Sequence, residues 1–113
     1  MKAVTKITFL DENGEKFFGE GPVRLLRGVE RTGSLRAASA EMHMAYTKAL
    51  KLVKNAESAL GFSLINSVTG GKSGGGSSLT KEGKEWLERY EKYRDECIQT
   101  NHRLYLEHFP EQR

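Results

Sequence analysis

Cysteine is nearly missing from this chain: Cys97 stands alone among 113 residues, which excludes an internal disulfide. Long apolar runs are missing too. No stretch approaches the roughly 20 apolar residues of a membrane span, and the apolar start is short and broken by Lys6, unlike a secretory leader. A reduced, cytoplasmic setting is the expectation from both absences. Histidine is sparse. His43, His102 and His108 do not have the spacing of a metal site, and with Cys97 they are expected to be structural or solvent-facing. No Ser/His/Asp or Cys/His arrangement is specified by local context, so no enzyme and no cofactor are expected. Gly71-Lys72-Ser73 invites comparison with a nucleotide-binding P-loop, but Asn66 occupies the position of the first required glycine. Three glycines follow Ser73 where a helix N-terminus would have to meet the anion. Nucleotide hydrolysis is therefore excluded.

What is present is a globular composition, 37% hydrophobic and 29% charged, with a formal net charge of only +3. This length supports one modest core. The distribution of charge says more than its total. Residues 1–44 hold seven basic and six acidic residues, residues 45–84 hold six and two, and residues 85–113 hold five and seven. Positive charge thus gathers in the middle of the chain, where it would suit a polyanion; a solvated basic surface is the alternative.

Read in order, Ala3 to Leu10 is β-branched and alternating, and Asn13-Gly14 is a turn pair in which both residues tolerate positive φ. Lys16-Phe17-Phe18 is the expected return strand. Gly21-Pro22 then opens a helix that buries Val23, Leu25, Leu26 and Val29 and ends at Gly33. Ser34 caps a second helix, Leu35 to about Met42, whose Ala37, Ala38 and Ala40 allow close packing. A turn at His43-Met44 leads to a third helix, Ala45 to Leu60, ended by Gly61. Its apolar side is Ala49, Leu50, Val53, Ala56 and Leu60; Thr47, Lys48, Lys51, Lys54, Asn55 and Ser58 occupy the other. Phe62 to Ile65 and Ser77 to Thr80 are short β-prone runs. Thr80 caps a last helix, interrupted early by Gly83.

That last helix carries a seam. Trp86, Tyr90, Tyr93, Cys97, Thr100 and Leu104 are spaced alternately four and three apart, and Leu87, Ile98 and Tyr105 widen the stripe. So long a helix outruns a small core, so Trp86, Tyr90, Tyr93, Cys97 and Leu104 are expected to meet a second copy in a homodimer. Packing back on its own domain is the alternative.

Two β-prone runs flank Thr69-Gly70-Gly71-Lys72-Ser73-Gly74-Gly75-Gly76. A tip so rich in glycine has a bare backbone that can approach a phosphate chain closely. With the helix–turn–helix pattern upstream, it reads as the wing beside a recognition helix. The segment Gly33 to Leu50 resembles the LysR-type regulators in its Gly33-Ser34 entry, Ala38 and the apolar-His-apolar turn Met42-His43-Met44, and further on the chain shares their closing Leu60-Gly61. It is still more similar to the N-terminal domain of ModE-type molybdate regulators. The entry, Tyr46 and Ala49 are shared with them, as is a Thr-Gly-Gly-Lys-x-Gly-Gly-Gly wing followed by Leu79-Thr80 and Gly83. The likeness runs from the first strand to about residue 105. It departs at Ala45, where both families usually have serine, and at Leu50, where the ModE pattern is aromatic. Full molybdate regulators continue into oxyanion-binding domains beyond the length of this chain, so molybdate binding is not expected here.

The expectation is therefore an α+β winged helix–turn–helix over residues 1–80 with a dimerisation helix over 81–113. Its partner would be double-stranded DNA, its role transcriptional regulation. Ala45, Tyr46, Thr47 and Lys48 fall where a recognition helix meets base edges. Ser34, Arg36, Lys51 and the wing's Lys72 and Ser73 would hold phosphates. A winged-helix protein-interaction module without DNA binding is the alternative.

Overall fold

The computed structural model describes residues 1–68 and 76–113. The elements follow in the order β1 (Phe9–Leu10), β2 (Lys16–Phe18), α1 (Glu20–Thr32), α2 (Leu35–Glu41), α3 (Tyr46–Leu60), β3 (Ile65–Val68), β4 (Gly76–Leu79) and α4 (Lys81–His108), with a closing 3-10 turn at Pro110–Gln112. Two antiparallel hairpins, β1–β2 and β3–β4, flank the α1–α2–α3 unit in sequence.

The helix boundaries are set by local chemistry. Gly33 ends α1 at φ 75°, a left-handed conformation that costs glycine nothing, and its N–H donates to Val29 O at 2.7 Å. The Ser34 hydroxyl accepts from Ala37 N at 3.1 Å and opens α2. A side chain at Gly28 would stand 2.7 Å from Ala38 Cβ, so the small residues on both helices are what let α1 and α2 close. Gly61 ends α3, and the Thr80 hydroxyl caps α4 by accepting from Gly83 N at 2.8 Å.

The core has two lobes. Leu25, Val29, Leu35, Ala38, Ala49 and Val53 fill the interior of the three-helix unit. Phe18, Val23, Leu26, Ala56, Leu64, Leu87 and Tyr90 form the second lobe, against which Phe9 and Trp86 pack. The Trp86 and Tyr90 rings meet those of Phe9 and Phe18 edge-on. Each fully buried large side chain contributes about 1.5–3 kcal/mol.

Three expectations are revised. The first strand is not residues 3–10 but Phe9–Leu10, because β2 is only three residues long before α1 begins. Residues 1–8 instead border α4: the Tyr90 hydroxyl donates to Ile7 O at 2.6 Å and the Tyr105 hydroxyl to Met1 O at 3.1 Å. The turn is not a pair of positive-φ residues either, since only Gly14 is left-handed, at φ 79°. The Asp11 carboxylate accepts from Asn13 N and Glu15 N and shapes a longer loop. Finally, Gly83 does not interrupt α4. The helix runs unbroken for 28 residues, and a Cβ at Gly83 would strike Leu64 O at 2.3 Å. Glycine is there because another backbone crosses the helix.

Candidate nucleic-acid interface

The turn between α2 and α3 hangs on Ser39. This residue is buried, its hydroxyl donates to Arg36 O, and its carbonyl accepts from Met42 N and Met44 N. His43 completes the turn in the left-handed region at φ 54°, a conformation uncommon outside glycine. The chain then enters α3 through Ala45, which offers no side-chain cap, whereas α2 and α4 are both capped by hydroxyls.

The polar side of α3 is as the spacing predicts: Thr47, Lys48, Lys51, Lys54, Asn55 and Ser58 are all exposed, as is Ala45, while Ala49, Val53 and Ala56 are buried. Lys54 pairs with Glu57 at 3.5 Å. Lys48 and Lys51 make no ion pair among the described residues. Glu57 has a second task that no local pattern announces: its carboxylate accepts from Leu64 N at 2.7 Å, fastening the end of α3 to the approach to β3.

Tyr46 is placed differently from its neighbours. It is half-buried against the three-helix lobe, and the Arg36 guanidinium lies over its ring, 4.1 Å from the centroid. Arg36 itself is exposed. Ser34 sits at the foot of the second hairpin, because Ser77 N donates to the carbonyl of the preceding Gly33 at 2.8 Å. The hairpin is in register from Ile65↔Leu79 to Val68↔Gly76. Lys72 and Ser73 lie outside the described residues.

Along α4 the seam divides. Trp86 packs on the core, and Tyr90 is 2% exposed with its hydroxyl occupied by Ile7. Tyr93 (50% exposed), Ile98 (42%) and Leu104 (40%) face outward, and Cys97 between them is half-buried and free. The front of α4 thus belongs to the same core as the helices before it. At 28 residues the helix is roughly 42 Å long, and the molecule extends 59 Å along its major axis against 30 and 24 Å across.

Among the described residues, no three His, Cys, Asp or Glu side chains converge as metal ligands, and no helix is long and apolar enough to cross a membrane. A helix–turn–helix with an exposed basic third helix, followed by a hairpin and a long terminal helix, defines an α+β winged helix–turn–helix domain. Residues 22–84 match the family described as the bacterial regulatory helix-turn-helix protein, lysR family, and the chain belongs to it. This is a family of DNA-binding transcription regulators, not a class of enzymes.

Two curated relatives refine the placement. The chain is 33% identical over 81 residues to the molybdenum-pterin-binding protein MopB of Rhodobacter capsulatus, covering 72% of this chain and 30% of that protein. It is 38% identical over 63 residues to the molybdenum transport protein ModE of Herbaspirillum seropedicae, covering 56% of this chain and 23% of that protein. The ModE-like resemblance read from the Gly33-Ser34 entry, Tyr46, Ala49 and the wing sequence is thus matched by similarity over 81 and 63 residues. The chain spans less than a third of the length of either relative.

Proposed function

We propose that this chain binds a specific double-stranded DNA sequence as a cytoplasmic homodimer and regulates transcription, with α3 in the major groove and the second hairpin on the backbone. The observation that carries the reading is the contrast along α3. Its first two turns present Thr47, Lys48 and Lys51 to solvent without acidic partners among the described residues, while Lys54, further along, is paired with Glu57. Recognition helices read bases from their N-terminal turns. Thr47 and Lys48 carry the hydrogen-bonding groups for base edges, and Lys commonly reads guanine acceptors. Ser34, Arg36 and Lys51 would set register on phosphates, with Lys72 and Ser73 of the wing joining them. Selection of binding sites from random duplexes, repeated at several salt concentrations, tests this. A sharp sequence preference with a steep salt dependence supports the reading. Affinity that ignores both sequence and salt would turn it into a protein-interaction module.

The dimer reading is supported by α4 from Tyr93 onward. Tyr93, Ile98 and Leu104 are large, apolar and exposed on a helix that reaches past the core, with Cys97 between them. Of the original seam, Trp86 and Tyr90 are spent mainly within the protomer and would supply the platform on which the interface rests. Two copies held through α4 would present two α3 helices to half-sites about 34 Å apart. Tyr93→Glu combined with Leu104→Glu should convert a sedimenting dimer to a monomer and remove most of the specific affinity. A parent chain that sediments as a monomer at high micromolar concentration contradicts it.

A further inference from the structure

Resting on the DNA-binding reading, we infer that Tyr46 is a positioning residue that acts through Arg36: its ring is a platform holding that guanidinium as a prealigned phosphate contact. Three observations converge. The Arg36 guanidinium lies 4.1 Å from the Tyr46 ring centroid, well inside the range of a cation–π contact. Tyr46 is itself held, half-buried against the three-helix lobe at the first position of α3. Arg36 makes no ion pair and donates no side-chain hydrogen bond among the described residues, although Arg27, Arg31, Arg94 and Arg103 each meet a carboxylate.

A guanidinium held over a ring, with no hydrogen-bond or ion-pair partner among the described residues, keeps its in-plane donors available. It is therefore immobilised without being neutralised. Ordering a free arginine on a ligand costs side-chain freedom, and the contact with the ring removes part of that cost before DNA arrives. Arg36 is on α2, the helix that crosses the backbone while α3 enters the groove. A phosphate, not a base edge, is thus its target. Tyr46 then contributes through its ring and not its hydroxyl.

The test uses the full chain and a duplex recovered by selection. Arg36→Ala should weaken binding to all duplexes alike and lower the log–log salt slope by about 0.9. Tyr46→Leu should weaken binding about two- to fivefold. Tyr46→Phe, which keeps the ring, should lose much less than Tyr46→Leu. The double variant Arg36→Ala/Tyr46→Leu should bind no worse than Arg36→Ala alone, because the two residues form one device. NMR of the free protein gives an arm independent of DNA: Arg36 side-chain resonances should be displaced by the ring current in the parent and in Tyr46→Phe. That arm still decides if Tyr46→Leu fails to fold. Losses that add in the double variant, Tyr46→Phe as damaging as Tyr46→Leu, or undisplaced Arg36 resonances each overturn the inference. A parent that binds no duplex overturns the DNA reading itself, and this with it.

Discussion

Cations are used in opposite ways on two sides of this molecule. Where α1 meets α4, Arg27 is hydrogen-bonded to Glu91 and Glu30, and Arg94 reaches Glu20 and Asp95. The Glu91 carboxylate holds the Arg27 guanidinium above its ordinary pKa, against the opposing effect of burial. These charges are cancelled locally and tie two helices together. On the α2–α3 side Lys54 is paired with Glu57, but Arg36, Lys48 and Lys51 have no acidic partner among the described residues. A total of +3 conceals this division. Unpaired charge on one side is available to a polyanion; paired charge on the other contributes to the fold. The comparison therefore predicts that substitutions on the α1–α4 side change stability, and those on the α2–α3 side change binding.

The largest effect is expected at the junction of α4 with the core. Leu87 is fully buried, and Leu87→Ala should lower unfolding free energy by about 2–5 kcal/mol in urea titration. A loss below about 1 kcal/mol would mean that the front of α4 is not part of the core.

A smaller, pH-dependent effect belongs to Tyr90. Burial, assisted by Glu20, raises its phenol above the ordinary 10.0. The neutral form is favoured in the fold, so its contribution is fully present below pH 10.0 and is lost as pH rises through the elevated folded value. Tyr90→Phe loses the bond to Ile7, worth about 1 kcal/mol at neutral pH, but should show a shallower decline in stability above pH 10. Parallel declines in parent and variant would contradict this assignment.

The smallest effect is expected at Arg31, whose pair with Glu41 is largely exposed. Arg31→Ala should change stability by at most about 1 kcal/mol, less at high salt. A larger loss would show that surface pairing, too, holds α1 to α2.

The legible parts of this fold were those written in adjacent residues. Gly33, Ser34, Gly61 and Thr80 each end or begin a helix through bonds to neighbours a few positions away, so their types alone placed them. The alternating exposure of α3 was legible for the same reason. Distant partners were not. Ala3 to Thr8 has strand composition, yet a strand needs a partner, and β2 is too short to provide one. Gly83 reads as a helix interruption until Leu64 is seen to cross it. Helical spacing grouped Tyr90 with Tyr93 and Leu104, but cannot tell a face buried at home from one left exposed. Glu57, Ser39 and the stacking of Arg36 on Tyr46 depend on how helices and loops meet, and no local pattern signals that.

The division of charge along α3 is tested most directly by measuring duplex affinity against salt for the parent, Lys48→Ala and Lys54→Ala, beside their selected binding sites. Lys48→Ala should lose about 1–3 kcal/mol on the preferred site and relax selectivity at one base-pair position. Lys54→Ala should keep the parent's sequence preference and shift only non-specific affinity. If Lys48→Ala retains the parent's preference undiminished while Lys54→Ala blurs it, α3 does not enter the groove by its first turns, and the assignment of the interface is wrong.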